Sequence, residues 1–163
     1  MPTRPGLMRT VTETGLGSAP VSPGGTKMTC LIAEDNMINQ NLLKKQLIRR
    51  GHSVLVADDG AEAVKVWETH KEKIDCILMD LAMPNMDGFD ATEKILARIR
   101  ELEGKRIPVI AVTAQAFAGN RELCFEKGMD GYIAKPVDIN LLTSVMEEQY
   151  ERYEKVWRER RGG

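Results

Sequence analysis

A chain of 163 residues with an apolar fraction of 42% is long enough to bury one conventional core, so we expect a single folded domain. Its 23 basic and 24 acidic side chains leave a net charge of -1, which gives no reason to expect direct binding to DNA or to an anionic membrane. The sequence has no apolar run long enough for membrane insertion and no secretory signal, so we expect a cytoplasmic protein.

The first 27 residues are rich in Pro, Gly, Ser and Thr and show no apolar periodicity. This composition is typical of a flexible tail or a linker. We therefore expect residues 1–27 to form a disordered tail or linker and the folded domain to span residues 28–148.

From residue 28 onward, short apolar runs alternate with segments of helical periodicity, and each predicted strand is followed by a predicted helix. Asp59, Asp87 and Asp138 stand where the second, third and fifth helices would begin, and aspartate is a preferred capping residue. This alternation predicts an α/β fold with a five-stranded parallel sheet, doubly wound, with helices on both faces. We expect the flavodoxin-like strand order 2-1-3-4-5. The strands are predicted at residues 30–33, 54–57, 74–79, 107–112 and 131–134.

Polar side chains stand at the ends of four predicted strands. They are Glu34 and Asp35 after the first strand, Asp80 after the third, Thr113 at the end of the fourth, and Lys135 after the fifth. In a doubly wound sheet these positions share one edge, where ligands bind. Three carboxylates in one cleft repel one another unless a cation is present, and ligand sets made only of oxygen favour Mg²⁺ or Mn²⁺. The lysine and the hydroxyl suit the oxygens of a phosphoryl group.

Each of these residues has an ordinary structural explanation when it is considered alone. An Asp after a strand is usually a helix cap, a Thr usually bonds to the backbone, and a Lys is usually solvated. Their joint occurrence at one edge of the sheet, in the order that the fold requires, favours a functional site.

Four segments of the chain resemble the receiver domains of response regulators, and most closely the receivers attached to hybrid histidine kinases. The resemblance spans about residues 28–148. The segments that carry it are 31–36 (LIAEDN), 79–88 (MDLAMPNMDG), 108–114 (PVIAVTA) and 128–136 (GMDGYIAKP), with Asn39 and Gln40 after the first of them.

The resemblance implies a phosphoacceptor site. Asp80 would be the nucleophile that forms an acyl phosphate. Lys135 would pair with Asp80 and with a phosphoryl oxygen. The metal ion would be held by carboxylates and one backbone carbonyl, from Glu34, Asp35, Asp80 and Ala82.

The resemblance also implies a switch and a gate for water. Thr113 would donate its hydroxyl to the phosphoryl group, and Tyr132 occupies the aromatic switch position of the family, although a half-buried strand tyrosine would give the same pattern. The peptide bond before Pro136 is expected to be cis. Ala82 and Gln115, two residues after the nucleophile and the threonine, would control the lifetime of the acyl phosphate through the access of water.

The implied function is that of a receiver in a two-component phosphorelay. The chain would take a phosphoryl group from a histidine kinase or a histidine phosphotransfer protein and then change the surface of helix four, strand five and helix five for partner binding. It would catalyse its own aspartyl phosphorylation and dephosphorylation without being a turnover enzyme of the usual kind. A stand-alone regulator and the receiver part of a hybrid histidine kinase both fit the sequence.

Two other interpretations use a similar site. A pseudo-receiver is a protein-interaction module that is never phosphorylated, and the complete set of site residues argues against it. An aspartyl-phosphate hydrolase normally has a second acid two residues after its nucleophile, where this chain has Ala82.

Residues 149–163 are expected to form a helical extension or a tail. Tyr150, Tyr153, Val156 and Trp157 recur at roughly helical spacing among charged residues. This spacing favours an ordered extension with a possible dimer or docking contact. The segment leaves no room for a helix-turn-helix unit, so we expect no direct DNA binding.

The chain has two histidines. His52 follows the helix-ending Gly51, and His70 lies at the charged end of a helix. We expect both at the surface, and neither as a phosphohistidine.

Overall fold

The computed structural model describes residues 25–115 and 118–162, so the predicted tail lies outside the described residues as far as residue 24. The strands are β1 (Thr29–Ala33), β2 (Ser53–Ala57), β3 (Cys76–Met79), β4 (Val109–Thr113) and β5 (Gly131–Ala134). The helices are α1 (Met37–Arg49), α2 (Gly60–His70), α3 (Gly88–Glu101), α4 (Ala118–Glu126) and α5 (Ile139–Gly162).

All strand pairs in the described ranges are parallel, and the sheet order is β2-β1-β3-β4-β5. The predicted fold and strand order are confirmed. None of the helices in this part of the chain is both long and apolar enough to cross a membrane.

The sheet separates two apolar cores, because successive side chains of a strand point to opposite faces. In β3, Ile77 and Met79 pack on the face covered by α2, α3 and α4, while Cys76 and Leu78 pack on the face covered by α1 and α5. Each of these four side chains is at most 1% exposed. Both faces are therefore covered, as a parallel sheet requires.

Side-chain caps start three helices close to the strand ends. Asn36, Asp59 and Asp87 each accept a hydrogen bond from the backbone N–H three residues further on, at 2.9, 2.8 and 2.9 Å. Gly51 and Gly128 follow α1 and α4 with φ angles of 94° and 99°, a left-handed conformation that favours glycine. The helices α1 and α2 therefore begin four and three residues after the last residue of the preceding strand, whereas the loop between β3 and α3 is longer.

His52 is buried, with 7% of its surface exposed, so the predicted surface position is wrong. Its Nδ1 accepts a hydrogen bond of 3.0 Å from the backbone N–H of Met28, the residue directly before β1. Burial, together with the charge of Arg50, lowers the pKa of His52. The imidazole therefore acts as a neutral acceptor inside the fold.

We expect the free energy of unfolding to fall as the pH is lowered below about 6.5, the ordinary pKa of histidine. The unfolded chain takes up a proton at His52 in this range, whereas the folded chain takes it up only at lower pH. Denaturant titrations at several pH values measure the effect. His52→Asn, which keeps an acceptor that does not titrate, should make the pH dependence shallower. Equal slopes for the wild type and His52→Asn would contradict this explanation.

Candidate functional site

Backbone hydrogen bonds at the C-terminal edge of the sheet fix the positions of three predicted site residues. The N–H groups of Glu34, Asp80 and Lys135 donate to carbonyls at the ends of β2, β1 and β4, at 3.0, 3.0 and 2.9 Å. These bonds continue the strand ladders by one residue. The peptide bond between Lys135 and Pro136 is cis, as predicted.

The ammonium of Lys135 lies between two buried carboxylates. Its Nζ is 2.5 Å from Glu34 Oε1 and 3.1 Å from Asp80 Oδ2. The Glu34 and Asp80 side chains are only 6% and 8% exposed, so both have lost most of their hydration. Breaking such a buried pair by removing one partner typically costs ~3–5 kcal/mol, because the other charge stays buried without compensation.

Burial raises the pKa of Glu34, and the hydrogen bond from Lys135 opposes this effect only in part. Burial alone would lower the pKa of Lys135. The hydrogen bond to Glu34 and the charge of Asp80 outweigh burial and hold the pKa of the ammonium above its ordinary value. Lys135 therefore remains a cation at neutral pH.

Asp35 completes an acidic cluster with these residues. One carboxylate oxygen from each of Glu34, Asp35 and Asp80 lies within 4.8 Å of the others. Asp35 is exposed, so the cluster is open to solvent on its side. Oxygen donors at this spacing, without His or Cys, could hold a hard divalent cation such as Mg²⁺. Ala82, whose carbonyl is the further predicted ligand, donates its N–H to Asp80 Oδ1 at 3.3 Å.

Thr113 is linked to Tyr132 through the backbone of Gln115. The fully buried Thr113 accepts a hydrogen bond at Oγ1 from the N–H of Gln115, at 3.0 Å. The hydroxyl of Tyr132 donates to the carbonyl of Gln115 at 2.8 Å. A displacement of the segment after β4 would therefore act on both predicted switch residues.

Two buried polar residues beside the site had no role assigned from the sequence. Gln40 on α1 donates its amide to the carbonyl of Glu34 at 2.9 Å and to Asp58 Oδ1 at 3.0 Å. Asn120 on α4 donates to the carbonyl of Gln115 at 2.6 Å. The resemblance included Gln40 and could have drawn attention to it. Asn120 carried no sequence signal, because its role depends on a contact between a helix and a loop.

A cleft of about 460 Å³ opens beside the acidic cluster. Ala82 and Gln115, the residues predicted to control access of water, are exposed and both line this cleft. The remaining walls are formed by Asp35, Leu81, Met83, Pro84, Asp87 and Phe89. The site is therefore accessible to a small molecule or to a side chain of another protein.

Gly88 lets the loop after β3 lie against the backbone of Asp80. A Cβ at Gly88 would be 2.2 Å from the carbonyl oxygen of Asp80, far inside van der Waals contact. The N–H of Gly88 donates to the carbonyl of Leu81 at 3.0 Å, and the Asn85 amide in the same loop donates to Asp59 Oδ2 at 2.7 Å. The loop is thus held at both ends beside the cluster.

A doubly wound sheet with three carboxylates and one lysine at its C-terminal edge defines a receiver-like α/β domain. The sequence profile of the family described as response regulator receiver domain matches residues 30–147. The chain belongs to this family, and the resemblance drawn from its sequence motifs is confirmed.

Similar proteins include hybrid histidine kinases. Hybrid signal transduction histidine kinase I of Dictyostelium discoideum is 38% identical over 157 residues, which are 91% of this chain and 9% of that protein. Sensor histidine kinase RcsC of Escherichia coli strain K12 is 40% identical over 128 residues, which are 78% of this chain and 13% of that protein. The chain thus spans about a tenth of the length of these relatives.

Solved receiver structures have the same fold. The receiver domain of Ssk1 from Saccharomyces cerevisiae, crystallised with the histidine phosphotransfer protein Ypd1, is 29% identical with a TM-score of 0.68, over 76% of this chain and 88% of that one. The receiver domain of the sensor histidine kinase PA1611 from Pseudomonas aeruginosa PAO1 is 35% identical with a TM-score of 0.67, over 77% of this chain and 99% of that one. That structure has a magnesium ion in its active-site cleft.

Gly88→Ala should destabilise the domain by about 1–3 kcal/mol, because the added methyl group must push the loop away from the backbone of Asp80. Denaturant titration measures this change in the free energy of unfolding. Gly119→Ala in α4 adds the same group where, among the described residues, no atom other than those of its chain neighbours and its own helix backbone lies within 4 Å. This substitution should leave stability unchanged or raise it slightly. Equal, small effects of the two substitutions would contradict the close approach of the loop.

Proposed function

We propose that the chain accepts a phosphoryl group from a phosphohistidine onto Asp80, as the receiver of a phosphorelay. The observation that supports this most directly is the ammonium of Lys135 held between Glu34 and Asp80, next to the exposed Asp35. A carboxylate beside a fixed cation, at the edge of an open cleft, is well arranged to take up a group that carries negative charge.

In the proposed transfer, a carboxylate oxygen of Asp80 attacks the phosphorus of the donor. The new O–P bond forms as the P–N bond to the donor imidazole breaks, and the electron pair of the broken bond stays on the imidazole. Lys135, already within hydrogen-bond distance of Asp80, would pair with one phosphoryl oxygen. The hydroxyl of Thr113 would donate to another. Most of the catalytic contribution is therefore positioning and charge compensation by this chain.

Glu34, Asp35 and Asp80, with the backbone carbonyl of Ala82, would hold Mg²⁺ or Mn²⁺. When bound, the cation supplies positive charge to the phosphoryl oxygens and lowers the barrier to transfer. The residues fit this role. The single positive charge of Lys135 offsets only part of the negative charge of the three clustered carboxylates, so an excess of negative charge remains. That excess would repel a phosphoryl donor in the absence of a metal ion.

Phosphorylation is proposed to change the surface formed by α4, β5 and α5. Thr113 Oγ1 accepts a hydrogen bond from the N–H of Gln115, and its hydroxyl would donate to a phosphoryl oxygen. This new bond would draw Thr113, and the segment bonded to it, towards the site. Tyr132 is bonded to the carbonyl of Gln115, so a shift of this segment would change the position of the ring. The affinity for a partner at this surface would change with it.

The phosphodonor is proposed to be a histidine kinase or a histidine phosphotransfer protein in the cytoplasm. The hybrid kinase relatives and the Ssk1 receiver bound to Ypd1 support this choice. In the first two turns of α1, which follow the acidic turn, Met37, Ile38 and Leu42 are 61%, 77% and 57% exposed. An exposed apolar patch beside the acceptor is suited to docking of such a donor protein. Direct DNA binding forms no part of the proposal.

Incubation with acetyl phosphate and Mg²⁺ should add the mass of one phosphoryl group to the wild-type chain, as measured by intact mass spectrometry. Asp80→Asn should gain none, because a neutral amide does not replace the carboxylate nucleophile. Asp90→Asn, the same change at an exposed position of α3, should be phosphorylated like the wild type. Chelation of the metal with EDTA should abolish the gain in mass.

Other outcomes of this experiment would contradict the proposal in different ways. Phosphorylation of Asp80→Asn would show that another residue is the phosphate acceptor. Phosphorylation in the presence of EDTA would contradict the requirement for a metal ion. A wild-type chain that gains no phosphoryl group would instead favour a pseudo-receiver, a protein-interaction module with the same fold.

We expect the aspartyl phosphate to persist for much longer than seconds after the donor is removed. The side chain of Ala82 has no polar group to orient an attacking water, and Gln115 is the other residue predicted to control access of water in the cleft. Ala82→Asn supplies a water-orienting amide and should speed hydrolysis several-fold, whereas Ala97→Asn on α3 should not. Decay is followed by intact mass. Wild-type decay within seconds, or no acceleration in Ala82→Asn, would contradict control of the lifetime at this position.

A further inference from the structure

The last helix continues well beyond the part of the chain that the family profile covers. The profile ends at residue 147, whereas α5 runs to Gly162. Residues 149–162 are here called the C-terminal brace. They contact the edge of the sheet opposite to the acidic cluster, where β4 and β5 begin.

The carboxylate of Asp130 anchors the brace. Its side chain is 5% exposed, and its Oδ1 accepts a hydrogen bond of 2.5 Å from the hydroxyl of Tyr153. Its Oδ2 is 3.1 Å from the guanidinium of Arg106 and accepts the N–H of Val109 at 2.9 Å. The guanidinium of Arg152 is 3.6 Å from Oδ1. One buried carboxylate thus joins the brace, the loop before β4 and the start of β5.

Further contacts of the brace involve aromatic and charged side chains. The guanidinium of Arg106 lies 4.8 Å from the centre of the Tyr153 ring, a cation–π distance. Lys105 pairs with Glu154. Trp157 and Trp67 line a cavity of about 460 Å³ between the brace and the domain. Burial and the hydrogen bond to Asp130 raise the pKa of Tyr153, as expected for a docked tyrosine.

The outward side of the brace is almost entirely charged. Among the described residues of the brace, Val156 is the large aliphatic side chain that is exposed, at 46%. The three aromatic residues that predicted a dimer or docking contact are partly buried and engage the domain itself. The helical spacing of these aromatic residues therefore corresponds to a contact between the brace and the receiver domain of the same chain.

We propose that the C-terminal brace is a strap that is docked on the receiver through Asp130 while Asp80 is unphosphorylated and is loosened when Asp80 is phosphorylated. The docking stands on the contacts described above. The loosening rests on the proposed function of Asp80 and on the switch at Tyr132.

The coupling would pass through β5. Asp130 directly precedes this strand, and Tyr132 is its second residue. In the unphosphorylated chain, Asp130 takes part in a short hydrogen bond with Tyr153, an ion pair with Arg106 and a hydrogen bond with the backbone of Val109. Hydrogen bonds weaken steeply when their distance or angle changes, so a shift of β5 would weaken these contacts of Asp130. Because coupling between two sites is reciprocal, weakening the brace would favour the phosphorylated state.

Hydrogen exchange followed by mass spectrometry tests the docking without any phosphodonor. The brace amides should be protected in the wild type, and Tyr153→Phe should speed their exchange about tenfold by removing the hydrogen bond to the buried Asp130. Tyr150→Phe is the matched control. It retains the ring over Lys105 and removes a hydroxyl that takes part in no hydrogen bond shown for the described residues, so its effect should be small. Unprotected brace amides in the wild type would overturn the docking.

Beryllofluoride with Mg²⁺, a mimic of the bound phosphoryl group, tests the loosening. It should speed exchange of the brace amides in the wild type, and Tyr153→Phe should bind beryllofluoride several-fold more tightly than Tyr150→Phe. Unchanged exchange and equal affinities would overturn the regulatory part. Failure of the wild type to bind beryllofluoride, seen as the absence of a thermal shift, would count against the proposed acceptor site and would leave the docking experiment valid.

Discussion

The sharing of one ammonium by two buried carboxylates is the constraint on which the site depends. Lys135 compensates Glu34 and Asp80 only because three strands end at the same level, with their ladder bonds continued into the loops. A shift of any of these strands by one residue would turn its side chains to the other face of the sheet. The proposed chemistry of the site therefore depends on the register of the sheet. The close approach of Gly88 to the backbone of Asp80 holds the loop after β3 against the end of that strand.

The fifth strand, β5, runs from the edge of the sheet that contacts the brace to the edge that carries the acidic cluster. It is four residues long, from Gly131 to Ala134. Asp130 precedes it at the edge that holds the brace, and Lys135 follows it at the edge that holds the acidic cluster. Tyr132 lies between them and is bonded to the loop after β4. Packed structures shift between discrete arrangements more readily than they deform continuously. Because β5 is short and is flanked by Asp130 and Lys135, a displacement at one of its ends is expected to move the other end as well.

Much of the fold could be predicted from the sequence, because apolar runs, capping residues and glycines are local signals. The grouping of Glu34, Asp80 and Lys135 followed from the rule that parallel strands end at one edge. Contacts between distant segments were less predictable. His52 follows a helix-ending glycine, as many surface residues do, yet its imidazole accepts a hydrogen bond from the residue directly before β1. The helical spacing of Tyr153 and Trp157 indicated an apolar face, but it could not indicate which surface that face would contact.

The most direct test of the account is transfer from a phosphorylated histidine phosphotransfer protein to this chain, with the modified peptide then identified by mass spectrometry. In the presence of Mg²⁺, the donor should lose its phosphoryl group while the chain gains one on the peptide that contains Asp80. Lys135→Met, which removes the shared cation, should slow the transfer by orders of magnitude, because Lys135 no longer stabilises the charge of the phosphoryl group in the transition state. Transfer to a different residue, or transfer by Lys135→Met at the wild-type rate, would contradict the account.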